Sequence, residues 1–417
     1  MYRKVVLDNG VRLVTERMPS LRSVTIGIWV NVGSRDEAPG EEGFSHFIEH
    51  MFFKGTASRS AIQISREIDA LGGEMNAFTT RETTTFYVKV PDGQLRPALA
   101  LLADLFHRSR FPSGEIEKEK QVVLEEMRMV RDDPEEWVQD LHAQQIFGAH
   151  PLGRPILGTA ATVTNLSRRD ILGYIRRYYH PHETVVAVAG QFEQKHMLKL
   201  LDVHFGRFER PEASTRNRTP ADIHGGLHVY EKDLEQAHLC LGLKGISVEH
   251  KDRYAAALLN AILGGNVSSR LFQEIREKRG LAYSIYSCLS AYSDGGMWSV
   301  YAGTRPSEAA RVVELIRKEI ARLCAKKISG DELARAKNQM KGSLMLGLES
   351  TSSRMSKLAK DELHHERRVP LDEVMAGIDR VRAEQLQTLI GGLFDEHRLA
   401  LAALGPISRR SLSAVLN

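Results

Sequence analysis

The sequence predicts an α+β fold in which two duplicated domains each place helices against a largely antiparallel sheet. Segments of alternating apolar residues, such as 24–32 and 83–90, are typical of strands that bury one face. Amphipathic helical segments lie between the strands, but the order is not a regular strand–helix alternation. This irregular order favours an α+β layer over a parallel doubly wound sheet.

The predicted duplication is based on two pairs of similar segments. Residues 175–190 resemble residues 390–405 at an offset of 215, and each copy combines a helix end, a short turn and an apolar strand. Residues 53–58 fall on residues 263–268 at an offset of 210. The shared order and the similar offsets favour a true duplication over a chance match.

The two domains are expected to meet at a linker over residues 209–226. This stretch is rich in Pro, Thr, Arg, Asn, Asp and Gly and has no periodic apolar pattern, which is typical of an exposed connection. The sequence therefore predicts a first domain over residues 1–208 and a second over residues 227–417.

The composition agrees with that of a soluble globular protein. The chain has 417 residues, 42% of them hydrophobic and 26% charged, which is enough for a large core in more than one domain. A net charge of +4 is too weak to indicate nucleic-acid binding. Neither a signal peptide nor an apolar run of about 18 residues is recognisable, so we expect no membrane span. The three widely spaced cysteines are typical of a reducing cytoplasm.

The first candidate site lies on a helix predicted around His46, Glu49 and His50. Positions three and four apart share a helix face, so these three polar side chains point the same way. Two neutral imidazoles can hold a transition metal, and a carboxylate beside them can take a proton from metal-bound water. The order matches the inverted zincin signature. The opposite, core-facing stripe consists of Phe44, Phe47, Ile48, Met51 and Phe52.

A third metal ligand is expected from a second helix that begins near Ser113. Glu119 and Glu126 are seven residues apart and lie in its apolar stripe, where an unpaired carboxylate is costly. We assign Glu126 as the third ligand and Glu119 as the partner that orients the site. Periodicity leaves open which of the two touches the metal.

The duplication does not repeat these metal-binding residues. At the offsets above, His46 falls on Ala256, Glu49 on Leu259 and His50 on Asn260. At the similar offset of 217, Glu126 falls on Ser343. Only the first domain is therefore expected to carry metal chemistry.

Taken together, the motif and the two glutamates resemble the pitrilysin/insulinase family of zinc peptidases. The similarity is greatest to the short bacterial members and to the mitochondrial processing peptidase β subunit, and residues 7–10, 72–79, 150–153 and 276–283 also fit. The resemblance implies a mitochondrial-processing-peptidase-like fold and one zinc ion per chain. It further implies a zinc metalloendopeptidase that cleaves short or unfolded polypeptides, with Glu49 as the general base.

The resemblance also implies roles for residues outside the metal motif. Arg276 and Tyr283 match a family pair from the second domain that approaches the scissile bond, where a positive group stabilises the oxyanion. Asn76, Ala77, Phe78 and Thr79 are expected to form an exposed strand that binds peptide through its main chain. By the same analogy the chain pairs into a homodimer, which forms a closing chamber with shared sites.

Two alternatives belong to other classes. One is a non-catalytic assembly subunit, such as the core subunits of respiratory complexes that share this fold. The other is a heterodimer in which a sister chain supplies the Arg and Tyr pair. The presence of both residue sets in this chain favours a self-sufficient enzyme.

Overall fold

The chain forms two β-sheets that helices cover, and the computed structural model describes residues 1–208, 216, 218–395 and 398–415. The first sheet has six strands, which are β1 (Tyr2–Val6), β2 (Arg12–Arg17), β3 (Ser23–Val30), β4 (Glu74–Thr79), β5 (Thr84–Pro91) and β6 (Thr184–Gly190). The second sheet has five strands, which are β7 (Gly226–Glu231), β8 (Ala237–Gly245), β9 (Ala282–Ala291), β10 (Gly296–Thr304) and β11 (Ala400–Gly405). This architecture confirms the predicted α+β fold.

The helices fall between and after the strands. Those that precede the second sheet are α1 (Phe44–Met51), α2 (Ala61–Ala70), α3 (Leu95–Arg108), α4 (Ser113–Asp132), α5 (Pro134–Phe147), α6 (Ala160–Asn165), α7 (Arg168–Tyr178) and α8 (Gln194–Phe205). The later ones are α9 (Arg253–Leu263), α10 (Ala309–Ala325), α11 (Gly330–Gly347), α12 (Thr351–His365), α13 (Leu371–Arg380), α14 (Ala383–Leu393) and α15 (Arg409–Ser413). A π-helical turn spans Phe272–Glu277.

The strand order is the same in both sheets once β1 is set aside. The first sheet runs β2-β6-β3-β5-β4 and the second runs β7-β11-β8-β10-β9. In each sheet the first two strands of this series are parallel, and all the remaining neighbouring pairs are antiparallel. The matching order agrees with a duplicated, largely antiparallel architecture.

The chain divides into two compact units that are not contiguous in sequence. Unit 1 consists of Met1–Arg128, Arg154–Arg218 and Leu346–Arg368. Unit 2 consists of Met129–Gly153, Thr219–Met345 and Val369–Asn417. The sequence analysis expected the contiguous ranges 1–208 and 227–417, whereas each unit includes a segment from the other half of the chain.

The exchange follows from the two apolar faces of each sheet. In unit 1, one sheet face packs on the helices of its own half, and α12 covers the other face with Met355, Leu358 and Ala359. In unit 2, α5 covers the second face of the sheet, with Val138 and Ile146 among its buried residues. Apolar periodicity identifies a buried face but not the segment that covers it, so the exchange is not visible in the sequence.

The predicted linker is described only in part, because residues 209–215 and 217 lie outside the described residues. Arg218 is anchored in unit 1, where its Nη2 lies 2.7 Å from Asp36 Oδ2 and donates to the Glu82 carbonyl oxygen at 2.9 Å. The linker was expected to be exposed, but at Arg218 it is anchored by a largely buried ion pair with Asp36. In the part of the chain that the structure describes, the helices are too short or too polar to cross a bilayer.

Candidate metal centre

Helix α1 presents the motif residues because its opposite face is part of the core of unit 1. Phe47, Ile48 and Met51 are completely buried in that core. The helix begins after Gly43, and the Glu37 carboxylate accepts hydrogen bonds from the backbone N–H groups of Gly43 and Ser45 at 2.9 and 2.8 Å. Burial raises the pKa of Glu37 to about 8 despite these two bonds. The start and the rotation of α1 are thus determined by packing and by hydrogen bonds to the Glu37 side chain.

Two imidazoles from α1 and one carboxylate from α4 converge in unit 1. The Nε2 atoms of His46 and His50 each lie 3.7 Å from Glu126 Oε2. One potential ligand atom from each of the three residues lies within 4.8 Å of the others, and the two rings have centroids 4.5 Å apart. The structure thus brings together the three side chains that were predicted as ligands.

The two histidines differ in their surroundings. Burial lowers the pKa of His46 to about 3, so its ring stays neutral at physiological pH. Burial also lowers the pKa of His50, but the hydrogen bond to Glu119 and the nearby carboxylates outweigh this effect and raise it overall. A metal ion requires the neutral ring of both residues.

Glu119 lies behind His50 rather than beside Glu126. Its Oε1 is 2.8 Å from His50 Nδ1, and its Oε2 is 2.6 Å from Lys54 Nζ. Burial favours the protonated acid, but the bonds to His50 and Lys54 outweigh it and lower the pKa of Glu119. An ionised carboxylate is thereby held against the imidazole nitrogen that faces away from Glu126.

Glu49 lies between the two histidines in sequence and close to the same centre. It is 8% exposed, and its carboxylate interacts electrostatically with His50 and Glu126. The Thr79 hydroxyl donates a hydrogen bond of 2.5 Å to Glu49 Oε2. Burial raises the pKa of Glu49 above its ordinary value, and the Thr79 bond opposes part of that rise. A carboxyl group whose pKa lies closer to neutrality suits general acid–base catalysis.

The predicted substrate strand, Asn76–Thr79, belongs to β4 at the edge of the first sheet. Strand β4 pairs only with β5 along the sheet, so its other edge is not part of the described ladder. Asn76 is exposed. Ala77 packs against the core that contains α1, whereas the Phe78 ring packs edge-on against Trp29 at 5.4 Å. A contribution of Phe78 to peptide binding would therefore come from its backbone.

Arg276 and Tyr283 lie in unit 2 and contact each other. Arg276 Nη1 donates to the Tyr283 carbonyl oxygen at 2.7 Å, and its guanidinium lies 4.7 Å from the centroids of the Tyr283 and Phe272 rings. Tyr283 is 78% exposed although its ring is large. The pair is thus preformed and accessible within its own unit.

The donor set of the three converging residues fits a zinc ion. Two imidazoles and one carboxylate are the protein ligands of many catalytic zinc sites, which keep a fourth position for water or substrate. Zinc–ligand bonds of about 2.0–2.1 Å at tetrahedral angles separate ligand atoms by roughly 3.4 Å, close to the 3.7 Å between each Nε2 and the Glu126 oxygen. The Nδ1 atom of buried His46 has no hydrogen-bond partner among the described residues, whereas His50 Nδ1 has Glu119.

Sequence analysis missed two contacts at this centre. Lys54 follows the motif helix but has no periodic relation to Glu119, so no local pattern indicates their ion pair. Thr79 was assigned only to peptide binding, yet its hydroxyl contacts the general-base candidate. Thr79 lies at the end of an edge strand and 30 residues after Glu49, so no local pattern indicated this hydrogen bond.

Comparisons with family models match most of the chain. The model described as insulinase, peptidase family M16, matches residues 12–160. The model described as the peptidase M16 inactive domain matches residues 165–340. All three converging residues lie in the first range and the Arg276–Tyr283 pair lies in the second.

Curated relatives cover the chain nearly end to end. The uncharacterized zinc protease YmxG of Bacillus subtilis is 43% identical over 406 residues, covering 97% of this chain and 98% of the relative. An uncharacterized zinc protease of Streptomyces coelicolor is 39% identical over 418 residues, covering 99% and 91%.

Solved structures share the fold at lower identity. A protease from Helicobacter pylori matches with a TM-score of 0.91 at 24% identity, covering 97% of this chain and 99% of that chain. A peptidase M16 inactive domain from Pseudomonas fluorescens matches with the same TM-score at 19% identity, covering 97% and 98%. At these identities, the two structures support the fold alone.

Proposed function

The chain belongs to the insulinase family of peptidases, family M16, and on this premise we propose that it is a zinc-dependent endopeptidase with one ion per chain. Its substrates are short or unfolded polypeptides. The observation that carries the proposal is the convergence of His46, His50 and Glu126 on one point, with the Glu49 carboxylate beside them.

A bound zinc ion would supply a Lewis acid that polarises the scissile carbonyl and lowers the pKa of water next to it. His46, His50 and Glu126 would hold the ion, and Glu119 keeps the His50 ring oriented through Nδ1. Because two neutral rings and one carboxylate would offset only one of the two positive charges of a bound zinc ion, the loaded site would favour negative charge that develops on the substrate.

Glu49 moves the protons in this proposal. Its buried carboxylate accepts a proton from the attacking water and returns it to the leaving nitrogen. The Thr79 hydroxyl keeps one oxygen, Oε2, in a hydrogen bond, which restricts rotation of the group and leaves Oε1 for the proton. The raised pKa of Glu49 makes its carboxylate a stronger base for taking up the proton, and the protonated acid remains acidic enough to return it to the more basic leaving nitrogen.

The edge strand β4 supports an extended peptide as substrate. A peptide that adds to this edge would bind through main-chain hydrogen bonds, which are independent of its side chains. Thr79 joins this strand to Glu49, so the peptide backbone would lie beside the general base. Folded proteins do not offer a free extended backbone, which favours unfolded segments and short peptides.

Arg276 and Tyr283 complete the proposal as groups that stabilise the oxyanion. Their mutual stacking fixes their geometry, and the exposure of Tyr283 leaves its hydroxyl available. We place them at the zinc site of a second copy in a homodimer. Mixing Glu49→Gln chains with Tyr283→Phe chains should then restore part of the activity, because one composite site of the heterodimer is intact.

The mixing experiment needs proof of subunit exchange, obtained with two differently tagged chains and size-exclusion chromatography. Absence of any rescue after complete exchange contradicts shared sites. A monomer that cleaves peptides at full rate contradicts the dimer but leaves the zinc endopeptidase intact.

The central test compares Glu49→Gln with Glu125→Gln, since Glu125 is an exposed residue of α4 that pairs with Arg128. Loss of the general base should lower kcat for a fluorogenic peptide by about 10²- to 10⁴-fold, with zinc still bound. Glu125→Gln should cleave at the wild-type rate. Full turnover by a rigorously demetallated sample, or by Glu49→Gln, contradicts the proposal. Absence of turnover by the zinc-loaded wild-type chain favours a non-catalytic assembly role instead.

A further inference from the structure

The Glu119 carboxylate divides its two oxygens between two partners. Oε1 contacts His50 Nδ1 at 2.8 Å and Oε2 contacts Lys54 Nζ at 2.6 Å. Glu119 is only 4% exposed, so solvent offers little alternative to either partner. A carboxylate with both oxygens engaged cannot rotate without breaking a charged hydrogen bond.

Lys54 is itself held by a rigid loop. Its backbone N–H donates to the Met51 carbonyl at the end of α1, and the next residue, Gly55, has φ of +117°. The Gly55 carbonyl accepts from the Arg110 N–H at 3.1 Å, and the Ala57 N–H donates to the Arg108 carbonyl at 2.9 Å. The loop after α1 is thus attached to the end of α3, which limits the reach of the Lys54 side chain.

We propose that Lys54 is a positioning residue of the metal centre, which orients the His50 ring through Glu119. The proposal rests on the proposed zinc site. With Oε2 held by Lys54, Oε1 is directed at His50 Nδ1, which must then carry the proton. The lone pair of Nε2 is left facing Glu126, where a metal ion would bind.

The two imidazoles depend on the Glu119–Lys54 ion pair to different degrees. His46 Nδ1 is buried without a hydrogen-bond partner among the described residues, so packing alone holds that ring. The His50 side chain is 22% exposed and is less confined. Its orientation therefore relies on Glu119, and through Glu119 on Lys54.

A simpler role for Lys54 is compensation of a buried charge. Removing Lys54 would then lower the stability of the fold but leave the geometry of His50 unchanged. The two roles differ in three measurable quantities, which are the zinc dissociation constant, the tautomer of His50 in the metal-free protein, and the coupling between Lys54 and Glu119.

The experiment uses the full chain and three lysine variants. Lys54→Met removes the ammonium but keeps a chain of similar length, and Lys54→Arg keeps the charge. Lys118→Met is the matched control, because it removes an exposed lysine that pairs with Glu115 on the same helix as Glu119. Zinc affinity is measured by competition with a chromogenic chelator, and thermal unfolding of the metal-free chains reports stability.

Lys54→Met should weaken zinc binding by about tenfold, at the lower end of the effect of partners that orient metal ligands. Lys54→Arg should recover most of the affinity, and Lys118→Met should match the wild type. In the metal-free protein, at a pH high enough for the His50 ring to be neutral, ¹⁵N NMR of the histidine rings should show the Nδ1–H form of His50 in the wild type and a mixture of tautomers in Lys54→Met.

A double-mutant cycle with Glu119→Gln tests the route of the effect. If Lys54 acts through Glu119, the double variant loses no more zinc affinity than Glu119→Gln alone. Additive losses, or wild-type zinc affinity and His50 tautomer in Lys54→Met, overturn the positioning role. Failure of the wild-type chain to bind zinc overturns the proposed function instead, so the two failures are distinguishable.

Discussion

Units 1 and 2 share a strand order and an exchanged helix but differ in the chemistry of one helix. In unit 1, α1 presents His46, Glu49 and His50 opposite its buried face. In unit 2, the residue 210 positions after His50 is Asn260 on α9, and its Oδ1 accepts a hydrogen bond from the buried Trp298 indole at 2.9 Å. The same architecture thus carries a candidate metal site in one unit and a structural hydrogen bond in the other.

The two exchanged helices, α12 and α5, also pack on their sheets in a comparable way. In unit 1, a Cβ atom on Gly27 of β3 would lie 2.4 Å from Met355 Sδ of α12. In unit 2, a Cβ atom on Gly242 of β8 would lie 2.2 Å from His142 Nε2 of α5. A glycine in the central strand therefore admits one large side chain in each unit, but the side chain is apolar in the first and titratable in the second.

The largest expected effect separates the two helices by function. His50→Ala should weaken zinc binding by more than the about 10- to 100-fold typical of partners that only orient a ligand, and it should abolish peptide cleavage. Asn260→Ala should leave zinc binding and cleavage unchanged. It should instead lower the free energy of unfolding by about 1–3 kcal/mol, because the Trp298 N–H loses its acceptor. Chelator competition and calorimetry measure the two effects.

This contrast fails if Asn260→Ala weakens zinc binding as His50→Ala does. Such a result would mean that unit 2 carries part of the metal chemistry.

The next effect concerns His142, the titratable residue of α5 that packs against the second sheet. Burial lowers the pKa of His142 to about 4, and neither ring nitrogen has a hydrogen-bond partner in the described part of the chain. As pH falls, the unfolded chain takes up a proton near pH 6.5 while the folded chain stays neutral. The contribution of neutral, buried His142 to the free energy of unfolding is therefore fully present above about pH 6.5. It is lost as the pH falls towards 4, and the loss is on the order of 3 kcal/mol.

His142→Met should remove this acid sensitivity, because it gives unit 2 the side chain that Met355 supplies in unit 1. The reverse change, Met355→His, should introduce acid sensitivity in unit 1. Urea unfolding between pH 4 and 8 measures both. An unchanged pH slope in His142→Met contradicts the account.

The smallest effect compares glycines at the ends of corresponding strands. Gly190 of β6 and Gly405 of β11 have φ of +135° and +140°, and a Cβ atom would lie 2.3 Å from the Ser23 oxygen or 2.6 Å from the Gln236 oxygen. Alanine at either position should therefore cost about 1–3 kcal/mol. Thermal unfolding measures the loss.

The matched controls are Gly173→Ala in α7 and Gly391→Ala in α14, the helices that precede these strands. A Cβ atom at either control position meets nothing within 4 Å. These changes should be neutral or stabilising by about 0.5–1 kcal/mol. Tolerance of alanine at only one of Gly190 and Gly405 would show that the two turns are not equivalent.

Much of unit 1 could be predicted because the relevant patterns lie within single helices and strands. The spacing of His46, Glu49 and His50 places them on one helix face whatever surrounds the helix. The seven-residue separation of Glu119 and Glu126 likewise places both on one face of α4. The weak similarity between residues 175–190 and 390–405 correctly paired elements of the two units. It matched the end of helix α7 and strand β6 with the end of helix α14 and strand β11.

Other features depend on contacts between distant residues. The sequence left open which of Glu119 and Glu126 approaches the metal position, and the structure puts Glu126 beside both Nε2 atoms and Glu119 beside His50 Nδ1. The predicted contiguous domains did not include the exchange of α5 and α12. Helix α12 has an ordinary amphipathic pattern and α5 has almost none, so neither pattern identifies the sheet that the helix covers.

Residue spacing along single helices and strands indicated the fold class and the set of candidate ligands, and the expected family came from the resemblance of several motifs along the chain. Tertiary packing alone decided that Lys54 holds Glu119, that Thr79 contacts Glu49, and that His142 rests against Gly242. The physical reason is that periodicity specifies which side of an element is apolar or polar. The partner on that side is chosen by the way elements far apart in the chain pack together.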